Sequence, residues 1–584
     1  MSKHSMSILT GPIRYLPNRR AHEVFESQAR ARPDAIAAIH GSSRITYGEL
    51  NARANRLARA LLERGLTPEA AVGVMTERNL NWLTAVLGIF KAGGAYLPIE
   101  PHFPAERVAR MISRAGAKLV LTESLIDSAC AQRLAVDDLG IAVTADQLAY
   151  IYFTSGSTGE PKGAMCEHAG LLNHLFAKID DLMIGEGTVV AQTAPQCFDI
   201  SLWQLLAALL TGGQTVVIEQ RTILDAKRFL DTIVHARVNI VQVVPSYLEV
   251  LVSSLAQDRR VLRDLRCVVA TGEALKKELV DRWFQVQPGI TLVNAYGLTE
   301  TSDDTNHEFM DEPPRGERVL LGRPINNVHI YVVDELLQPV PVGESGEIVF
   351  AGVCVGRGYI NDPERTHRAF LQDPIRPGQR LYRSGDFGRC LPDGKLEFLG
   401  RKDSQVKISG FRIEIGEIEN ALLRVVGVRD GAVVMNKHLV AFYSSDQPWD
   451  SAVMRAKLGE SLPPYMIPSA CHWLKTLPLT DNGKTDRNAL TALAEELDIA
   501  GPNREGPSTG AEQLLAAVWA DVLGITKDEI GRQDNFFDLG GTSLSALKLV
   551  IALDRAVSFK DVAAHAVLAD QASLLEGRLE PVLK

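Results

Sequence analysis

The sequence predicts an α/β fold in a large first domain with parallel-type sheets and helices, then a small α+β domain and a small all-α bundle. Short apolar β-rich runs alternate with helical patterns from about residue 20 to 400, as in parallel sheets covered by helices. The pattern changes after Asp403, and 501–510, rich in Gly and Pro, precedes a last segment with apolar helical faces. We therefore place the large domain, the small domain, a linker and the bundle at 1–402, 403–498, 499–510 and 511–584.

The strands of the large domain are expected to be short and buried, with helical patterns such as 79–91 and 225–236 between them. Binding sites in such folds lie on loops that follow the carboxyl ends of the strands. The clearest strand patterns lie at 71–75, 118–123, 149–153, 215–219, 268–272 and 291–297.

The two smaller units have simpler patterns. QVKIS (405–409), GAVVMN (431–436) and LVAFYSS (439–445) predict strands beside a helix that starts at Glu414. In the last segment, apolar residues recur at helical spacing on two faces, which predicts a small helical bundle.

The composition is that of an ordinary globular protein, with 584 residues, a net charge of −9 and 46% hydrophobic residues. No basic block indicates nucleic acid, and the longest apolar stretches, such as 82–90, are too short to cross a membrane. The amino terminus lacks the pattern of a secretory signal, and the seven cysteines form no CxxC pair. We therefore expect a cytoplasmic protein with reduced thiols and neither a nucleic-acid nor a membrane partner.

A Gly-rich loop, TSGSTGEPKG, directly follows the strand pattern at 149–153. Its amides and hydroxyls can surround phosphate oxygens, and a lysine adds positive charge. The alternative is a flexible Gly/Ser linker, but linkers seldom follow a buried strand inside a compact α/β pattern. The candidate phosphate-binding residues are Thr154, Ser155, Gly156, Ser157, Thr158, Gly159 and Lys162.

This loop resembles the phosphate loop of the adenylate-forming superfamily, and further motifs resemble the amino-acid adenylation domains of nonribosomal peptide synthetases. The motifs occur in the order of that family and span most of 45–487. They are ITYGEL (45–50), KAGGAYLPIEP (91–101), LAYIYFTSGSTGEPKG (148–163), FDIS (198–201), NAYGLTE (294–300), GEIVFAGVCVGRGY (346–359), YRSGDFG (382–388), GRKDSQVKISGFRIEIGEIE (400–419), LPPYMIP (462–468) and NGKTDR (482–487).

The resemblance implies that a carboxylate attacks the α-phosphorus of ATP, releasing pyrophosphate and forming an aminoacyl-adenylate. Asn294 and Tyr296 would contact adenine, and Thr299 would bind the α-phosphate. Glu300 would hold Mg²⁺ through its carboxylate oxygens.

Three further positions follow from the same resemblance. Asp386 would accept hydrogen bonds from the ribose hydroxyls, and Arg401 would clamp the ribose. Lys484 would reach in from the small domain to the substrate carboxylate and the ATP oxygens. Read alone, Asp386 would be a turn former and Lys484 a solvated turn residue.

One active site must serve two half-reactions, so the family rotates its small domain about a hinge. The matching residue is Asp403, for which the alternative is an exposed loop aspartate. The sequence departs from the family at Leu298, where proline is usual. We expect a local change of the loop there and retained activity.

The motif DNFFDLGGTSL (534–544) resembles the attachment site of peptidyl carrier domains. It implies 4′-phosphopantetheine on Ser543, which stands at the start of a helical pattern. A plain N-cap serine is the alternative. The stretch after Ala556 looks shorter than in ordinary carriers, so the docking surface of the third helix is uncertain from sequence.

By the same resemblance, Asp199 would pair with the substrate α-ammonium, which separates amino-acid activators from acyl ligases. Two adjacent acids in the pocket favour a basic or strongly polar substrate, because a buried carboxylate needs a partner. The alternative is a small neutral substrate with one acid facing water or another cation. The remaining pocket positions are Ile200, Trp203, Gln242, Val269, Thr271, Ala295, Asp303, Asp304 and Lys484.

The sequence thus predicts an ATP- and Mg²⁺-dependent ligase that loads an amino acid onto its own carrier, in nonribosomal peptide or related secondary-metabolite biosynthesis. An acyl- or aryl-coenzyme A ligase and a non-catalytic carrier are the alternatives. The expected partners are a phosphopantetheinyl transferase and a downstream condensation or tailoring enzyme, since no such segment fits in the remaining residues. An MbtH-like helper is a further candidate partner.

Overall fold

The computed structural model describes most of the chain. Four motif glycines and hydroxyl residues of the phosphate loop, 156–159, lie outside the described residues, as do Asp403 and Lys484. The described residues are 5–155, 160–401, 405–408, 410–436, 438–479, 485–499, 505–536, 539, 541, 543–553, 556–558, 561–562 and 565–579.

The elements alternate along the large domain, as the sequence pattern predicts. The strands are β1 Ile8–Thr10, β2 Ile36–His40, β3 Ser43–Thr46, β4 Ala71–Met75, β5 Ala95–Pro98, β6 Leu119–Thr122, β7 Leu148–Thr154, β8 Lys162–Glu167, β9 Val189–Gln192, β10 Gln214–Val217, β11 Ile240–Val243, β12 Cys267–Ala270, β13 Thr291–Leu298, β14 Asp303–Met310, β15 Arg323–Pro324, β16 Val328–Val333, β17 Ser345–Gly352, β18 Gly358–Tyr359, β19 Phe370–Gln372, β20 Arg380–Cys390, β21 Leu396–Arg401, β22 Gln405–Ile408, β23 Phe411–Glu414, β24 Val428–Met435, β25 Leu439–Ser445 and β26 Ala470–Trp473.

Helices cover these strands and form the carboxyl-terminal bundle. They are α1 Ala21–Ala31, α2 Tyr47–Glu63, α3 Leu80–Lys91, α4 Ala105–Ala115, α5 Glu123–Ala131, α6 His168–Asp181, α7 Ile200–Leu206, α8 Gln220–Ile223, α9 Ala226–His235, α10 Pro245–Asp258, α11 Lys277–Val286, α12 Pro363–Ala369, α13 Ile415–Leu423, α14 Ser451–Gly459, α15 Arg487–Ile499, α16 Gly510–Leu523, α17 Ser543–Ala552 and α18 Leu568–Leu579. Among the described residues, no helix combines the length and the apolar content needed to cross a membrane.

Three sheets build the large domain. A nine-stranded sheet has the order β15-β14-β13-β12-β11-β9-β10-β2-β3, and its central strands from β13 to β2 are parallel. A six-stranded sheet has the order β18-β8-β7-β5-β4-β6, with β7, β5, β4 and β6 parallel. The predicted α/β fold with parallel-type sheets is thus confirmed. A third sheet, around β16, β17 and β20, is antiparallel and was not predicted.

The small domain has a core of its own. The hairpin β22–β23 leads into α13, and a three-stranded sheet of β24, β25 and β26 packs against α13, α14 and α15. Buried apolar side chains such as Ile418, Leu422 and Phe442 hold these layers together. This is the small α+β unit that the sequence predicts.

The last unit is an all-α bundle, as predicted. Its core gathers Leu515, Trp519, Phe536, Leu549 and Leu568 from the three helices α16, α17 and α18 and the connections between them. The last helix is therefore an integral part of the bundle.

Helix α16 begins at a capping box. The Thr509 hydroxyl accepts from the Glu512 N–H at 3.1 Å, and the Glu512 carboxylate accepts from the Thr509 N–H at 3.4 Å.

Candidate active site

One cavity of about 1610 Å³ joins all three domains. Asp199 and Asp386 line it from the large domain, Arg412 from the small domain and Gly541 from the bundle. The cavity borders the carboxyl ends of β11, β12 and β13, where ligand sites of parallel sheets are expected.

The phosphate loop meets the small domain at its start. Strand β7 ends at Thr154, and the Ser155 hydroxyl donates to the Arg412 carbonyl at 2.6 Å. The Glu414 N–H donates to the same hydroxyl oxygen at 3.1 Å. Thr154 and Ser155 line the cavity, so the described part of the loop lies where the sequence predicts it.

Glu300 lies at the centre of a charged cluster. Its carboxylate is fully buried in the short 3₁₀ helix Thr299–Thr301 that follows β13. Oε1 lies 3.2 Å from Lys162 Nζ and accepts from the Tyr359 hydroxyl at 2.7 Å, while Oε2 accepts from Arg412 Nη1 at 2.9 Å.

Burial alone would raise the pKa of Glu300, but the charges of Arg412 and Lys162 outweigh it and hold the pKa well below its usual range. Glu300 is thus an ionised oxygen donor, the type of ligand that Mg²⁺ binds. Lys162 and Arg412 already place two positive charges beside this carboxylate, so the surroundings of Glu300 suit a cation.

The predicted nucleoside residues come together from two sheets, with Asp386 and Arg401 on paired strands of one and Asn294 and Tyr296 on β13 of the other. Asp386 on β20 stands opposite Arg401 on β21, and the Arg401 guanidinium donates to the Asp386 carboxylate. The Tyr296 hydroxyl donates to the other oxygen of Asp386. Asn294 donates to the Leu320 carbonyl at 2.7 Å and lines the cavity beside Tyr296.

Leu298, the departure from the family pattern, is buried at the end of β13. It stands opposite Asp303 in β14, after a register shift between Tyr296 and Gly297. Thr299 and Glu300 follow it directly; Thr299 lines the cavity, and Glu300 is buried in contact with Arg412, which also lines it.

Asp199 is the N-cap of α7, and its carboxylate accepts from the Ile200 N–H at 2.9 Å. Burial raises the pKa of Asp199 to about 6. The carboxylate therefore favours an incoming cation, such as an α-ammonium group, which would stabilise its charged form.

Most predicted pocket residues line the cavity, and two lie behind it. Trp203 and Val269 are packed in the core of the large domain and do not line the cavity. The Trp203 indole N–H donates to the Gln242 side-chain oxygen, so Trp203 acts on the pocket through Gln242. The cavity-lining members of the set are Asp199, Ile200, Gln242, Thr271, Ala295, Asp303 and Asp304.

The two adjacent acids differ in their partners. Asp304 accepts from Lys178 Nζ at 2.7 Å and from the Thr271 hydroxyl at 3.1 Å. Asp303 Oδ2 lies 3.4 Å from His174 Nδ1 and makes no hydrogen bond with the described residues.

His174 and Lys178 were not indicated by any motif. Both stand on α6, four residues apart, and both are buried. Two ionisable residues four positions apart, in a stretch of the helix that is mostly apolar, are the signal that could have found them.

The carrier bundle docks beside the cavity. Helix α17 packs on α10, where Lys548 Nζ donates to Glu249 Oε2 at 2.6 Å and Ile551 joins the apolar core of the large domain. Ser543 is the first residue of α17, and Gly541 lines the cavity two residues before it. The predicted attachment residue therefore stands next to the mouth of the cavity.

The described residues nearest to Lys484 lie away from the cavity. Leu479 and Thr485 form an isolated bridge, and neither lines the cavity. The small domain instead presents the β22–β23 hairpin, with Gly410 and Arg412. The predictions for Lys484 and for the hinge at Asp403 stay predictions.

The chain matches three family models in order. The first, described as AMP-binding enzyme, covers residues 25–360. The chain belongs to this family. The AMP-binding enzyme C-terminal domain matches 417–484, and the phosphopantetheine attachment site matches 513–575.

Curated relatives are peptide synthases. Tyrocidine synthase 1 of Brevibacillus parabrevis is 37% identical over 564 residues, which cover 93% of this chain and 51% of that protein. Bacitracin synthase 3 of Bacillus licheniformis is 37% identical over 566 residues, which cover 93% of this chain and 9% of that protein. The chain thus spans about half or less of the length of these relatives.

A solved structure matches the whole arrangement. PA1221, described as a nonribosomal peptide synthetase protein containing adenylation and carrier domains, superposes with a TM-score of 0.81 at 27% identity. The match covers 97% of this chain and 99% of that one. The four-domain synthetase AB3403 matches with a TM-score of 0.60 and 29% identity, over 97% of this chain and 43% of its own.

The chain is therefore an adenylation domain followed by a peptidyl carrier domain, and it is an AMP-forming ligase that activates an amino acid and forms a thioester on its carrier. Its cofactors are ATP, Mg²⁺ and 4′-phosphopantetheine. Glu300 fits the metal as an ionised oxygen donor. Gly541, two residues before Ser543, lines the same cavity, so an arm on the carrier would start at its edge.

Proposed function

We propose that this ligase activates an amino acid with a basic or strongly polar side chain and loads it onto Ser543. The observation that carries the proposal is the single cavity that runs from the buried acids Asp199 and Asp303 past Thr299 to Gly541. It offers one binding place for both substrates and one exit towards the carrier.

In the first half-reaction, Asp199 holds the α-ammonium group and so aims the substrate carboxylate at the phosphate site. Asp386 and Arg401 bind the ribose, and Tyr296 fixes the orientation of Asp386 through its hydroxyl. Lys162, with Lys484 from the small domain, stabilises the negative charge that develops at phosphorus.

The arrangement of the domains supports the second half-reaction. The β22–β23 hairpin fills the place beside Glu300, and the carrier is docked with Gly541 at the cavity mouth. The phosphopantetheine arm supplies the thiol that takes the aminoacyl group. Arg412 keeps the carboxylate of Glu300 neutralised.

The pocket supports the substrate class. Asp303 is buried and its Oδ2 lacks a hydrogen bond with the described residues, so a side chain with a cation or strong donors would supply the missing partner. A small neutral substrate would leave that carboxyl group unsatisfied.

The loaded carrier requires further enzymes. We infer a phosphopantetheinyl transferase that modifies Ser543 and a condensation or tailoring enzyme that takes the aminoacyl group, in the synthesis of a peptide or related secondary metabolite. An MbtH-like protein is a candidate helper. The site is expected to work in the cytoplasm, where ATP is available.

The decisive experiment is intact-mass measurement of the chain after addition of a phosphopantetheinyl transferase, ATP, Mg²⁺ and single amino acids. We expect a mass gain equal to the arm and then to the arm plus one aminoacyl group. Ser543→Ala should show neither gain and retain amino-acid-dependent ATP–pyrophosphate exchange.

Two outcomes contradict the proposal. Strong exchange with valine or alanine and none with basic or strongly polar amino acids would reject the substrate class. Transfer of the acyl group to free coenzyme A, with none on the carrier, would instead indicate a coenzyme A ligase.

A further inference from the structure

A buried lysine stands behind the substrate pocket. The Lys178 side chain is 0% exposed. Its Nζ lies 2.7 Å from Asp304 Oδ2, 3.0 Å from His307 Nε2 and 5.0 Å from the centre of the Trp203 ring. His307 turns its other nitrogen to Asp181 at 2.7 Å. Lys178 is thus held on three sides, and its position is fixed by packing.

Lys178 affects the two acids of the pocket differently. Burial alone would raise the pKa of Asp304, but the charge on Lys178 outweighs it and lowers the pKa to about 2. Asp304 and Lys178 therefore form a neutral ion pair. For Asp303, burial and then the charge on Asp304 raise the pKa well above its usual range. Asp303 is the carboxyl group that gains most from a new cationic partner.

His174 adds a second acceptor next to Asp303. Burial, together with the charge on Lys178, lowers the pKa of His174 well below its usual value, so the imidazole is neutral. Its Nδ1 faces Asp303, and its Nε2 has no hydrogen bond with the described residues. Ligand atoms of His174, Asp303 and Asp304 lie within 4.8 Å of one another. This acceptor cluster has the size to surround one ammonium or guanidinium group.

A metal ion is a poorer occupant of this cluster. The Lys178 ammonium already contacts the Asp304 carboxylate and would stand beside the ion as a like charge. Lysine cannot act as a ligand while it is protonated. An organic cation that enters from the cavity and bonds mainly to Asp303, with His174 behind it, avoids this conflict.

We propose that Lys178 is a specificity-determining residue, which neutralises Asp304 and leaves Asp303 as the single carboxylate that selects a substrate with one positive charge in its side chain. This inference rests on the proposed amino-acid activation. It adds Lys178, which does not line the cavity, to the residues that determine specificity. It also gives Asp303 and Asp304 different roles.

The physical reason is the cost of buried charge. With Lys178 in place, a monocation completes the pairing and leaves no buried carboxylate of this acid pair without a partner. A neutral isostere leaves Asp303 Oδ2 without a hydrogen-bond partner among the described residues, which weakens binding of the neutral substrate relative to the cation. If Asp304 lost its charge, the Lys178 ammonium would pair with Asp303. A cationic substrate would then be repelled by a like charge at Asp303.

The test compares cationic substrates with neutral isosteres, using arginine with citrulline and lysine with norleucine in ATP–pyrophosphate exchange. The measured quantity is the ratio of kcat/KM within each pair. We expect the wild-type protein to prefer the cation in at least one pair. Asp304→Asn should lower that ratio by about 100-fold, because the released Lys178 pairs with Asp303.

The double variant Lys178→Met/Asp304→Asn removes both charges and should recover the ratio to within about tenfold of wild type. Asp304→Ser repeats the single change with a smaller side chain, in case Asp304→Asn does not fold. The matched control is Lys395→Met/Glu308→Gln, which removes an ion pair of 2.5 Å outside the cavity and should leave the ratio unchanged.

The possible results are distinct. An unchanged ratio in the folded single variants, or a double variant as low as the single ones, overturns the role of Lys178. A wild-type preference for neutral isosteres overturns the inference as well, while amino-acid activation itself stands. Absence of exchange with every amino acid, in a protein that unfolds cooperatively, rejects the proposed function instead.

Discussion

Replacing Lys548 with glutamate places a like charge opposite Glu249 at the surface where the carrier docks on the large domain. The wild-type pair is 2.6 Å long, and its side chains are 27% and 40% exposed. Asp199, Glu300 and the other groups that bind the two substrates are not touched by this change. The variant therefore separates docking of the carrier from adenylation.

The magnitude follows from the exposure of the pair. Exposed ion pairs contribute about 0.2–1 kcal/mol; this short, partly buried pair lies in the upper half of that range, about 0.5–1 kcal/mol, and the repulsion between two carboxylates adds a similar amount. The total of about 1–2 kcal/mol corresponds to a reduction of about 5- to 30-fold in the docked population. Ile551 stays in the apolar core and keeps the docked geometry available. Because exposed charges are screened, the effect should shrink in high salt.

Two assays are compared. Single-turnover loading of the phosphopantetheine-bearing chain, followed by intact-mass measurement, gives the rate of thioester formation, and ATP–pyrophosphate exchange gives the rate of adenylation. We expect loading by Lys548→Glu to slow by about 5- to 30-fold, with exchange within about twofold of wild type. The swap Glu249→Lys/Lys548→Glu should recover most of the rate. Lys527→Glu, at an exposed lysine of the same bundle, is the control. Wild-type loading by folded Lys548→Glu, or no recovery in the swap, would refute this docking surface.

Three further outcomes are expected. Because Asp199 must be ionised to bind the α-ammonium group and burial raises its pKa to about 6, kcat/KM for the amino acid should fall as the pH drops below 6, to about a tenth at pH 5. A flat profile down to pH 5 would count against that role. Asp386→Asn should raise KM for ATP by about 10- to 100-fold, because Tyr296 and the ribose lose a charged acceptor; an unchanged KM would remove Asp386 from the nucleotide site. Arg107→Met should slow loading by at least about tenfold more than it slows exchange, because it breaks a buried 2.6 Å pair with Glu417 that joins the two adenylation domains in this arrangement. Equal loss of both activities would show that the pair serves the fold alone.

Local patterns were sufficient for the fold class and for the order of the three domains. Strand runs such as 149–153 are apolar because β7 is buried, and Thr154 and Ser155 at its end line the cavity. The antiparallel sheet around β17 and β20 was not predicted, because local patterns do not show which strands pair, and here two strands separated by α12 pair antiparallel. Its register nevertheless brings Asp386 opposite Arg401.

The candidate site was predictable wherever a motif carries its residues as one segment. Thr299 and Glu300 lie together in a single turn, so the place of Thr299 at the cavity and that of Glu300 behind it follow from the position of β13. Trp203 and Val269 show what motif positions cannot predict. Both were assigned to the pocket by their positions relative to the motifs, but the packing of α7 and β12 places their side chains in the core.

By itself, the sequence determined the type of each segment and the chemistry that its motifs can perform, because backbone propensity, apolar periodicity and short motifs are local properties. Tertiary structure alone decided which distant charges meet. Lys178 and Asp304 are 126 residues apart, and Glu249 and Lys548 are 299 apart. Whether a buried carboxylate is already paired or free to select a substrate depends on such contacts, since electrostatic energy depends on distance in space and on burial, not on distance along the chain.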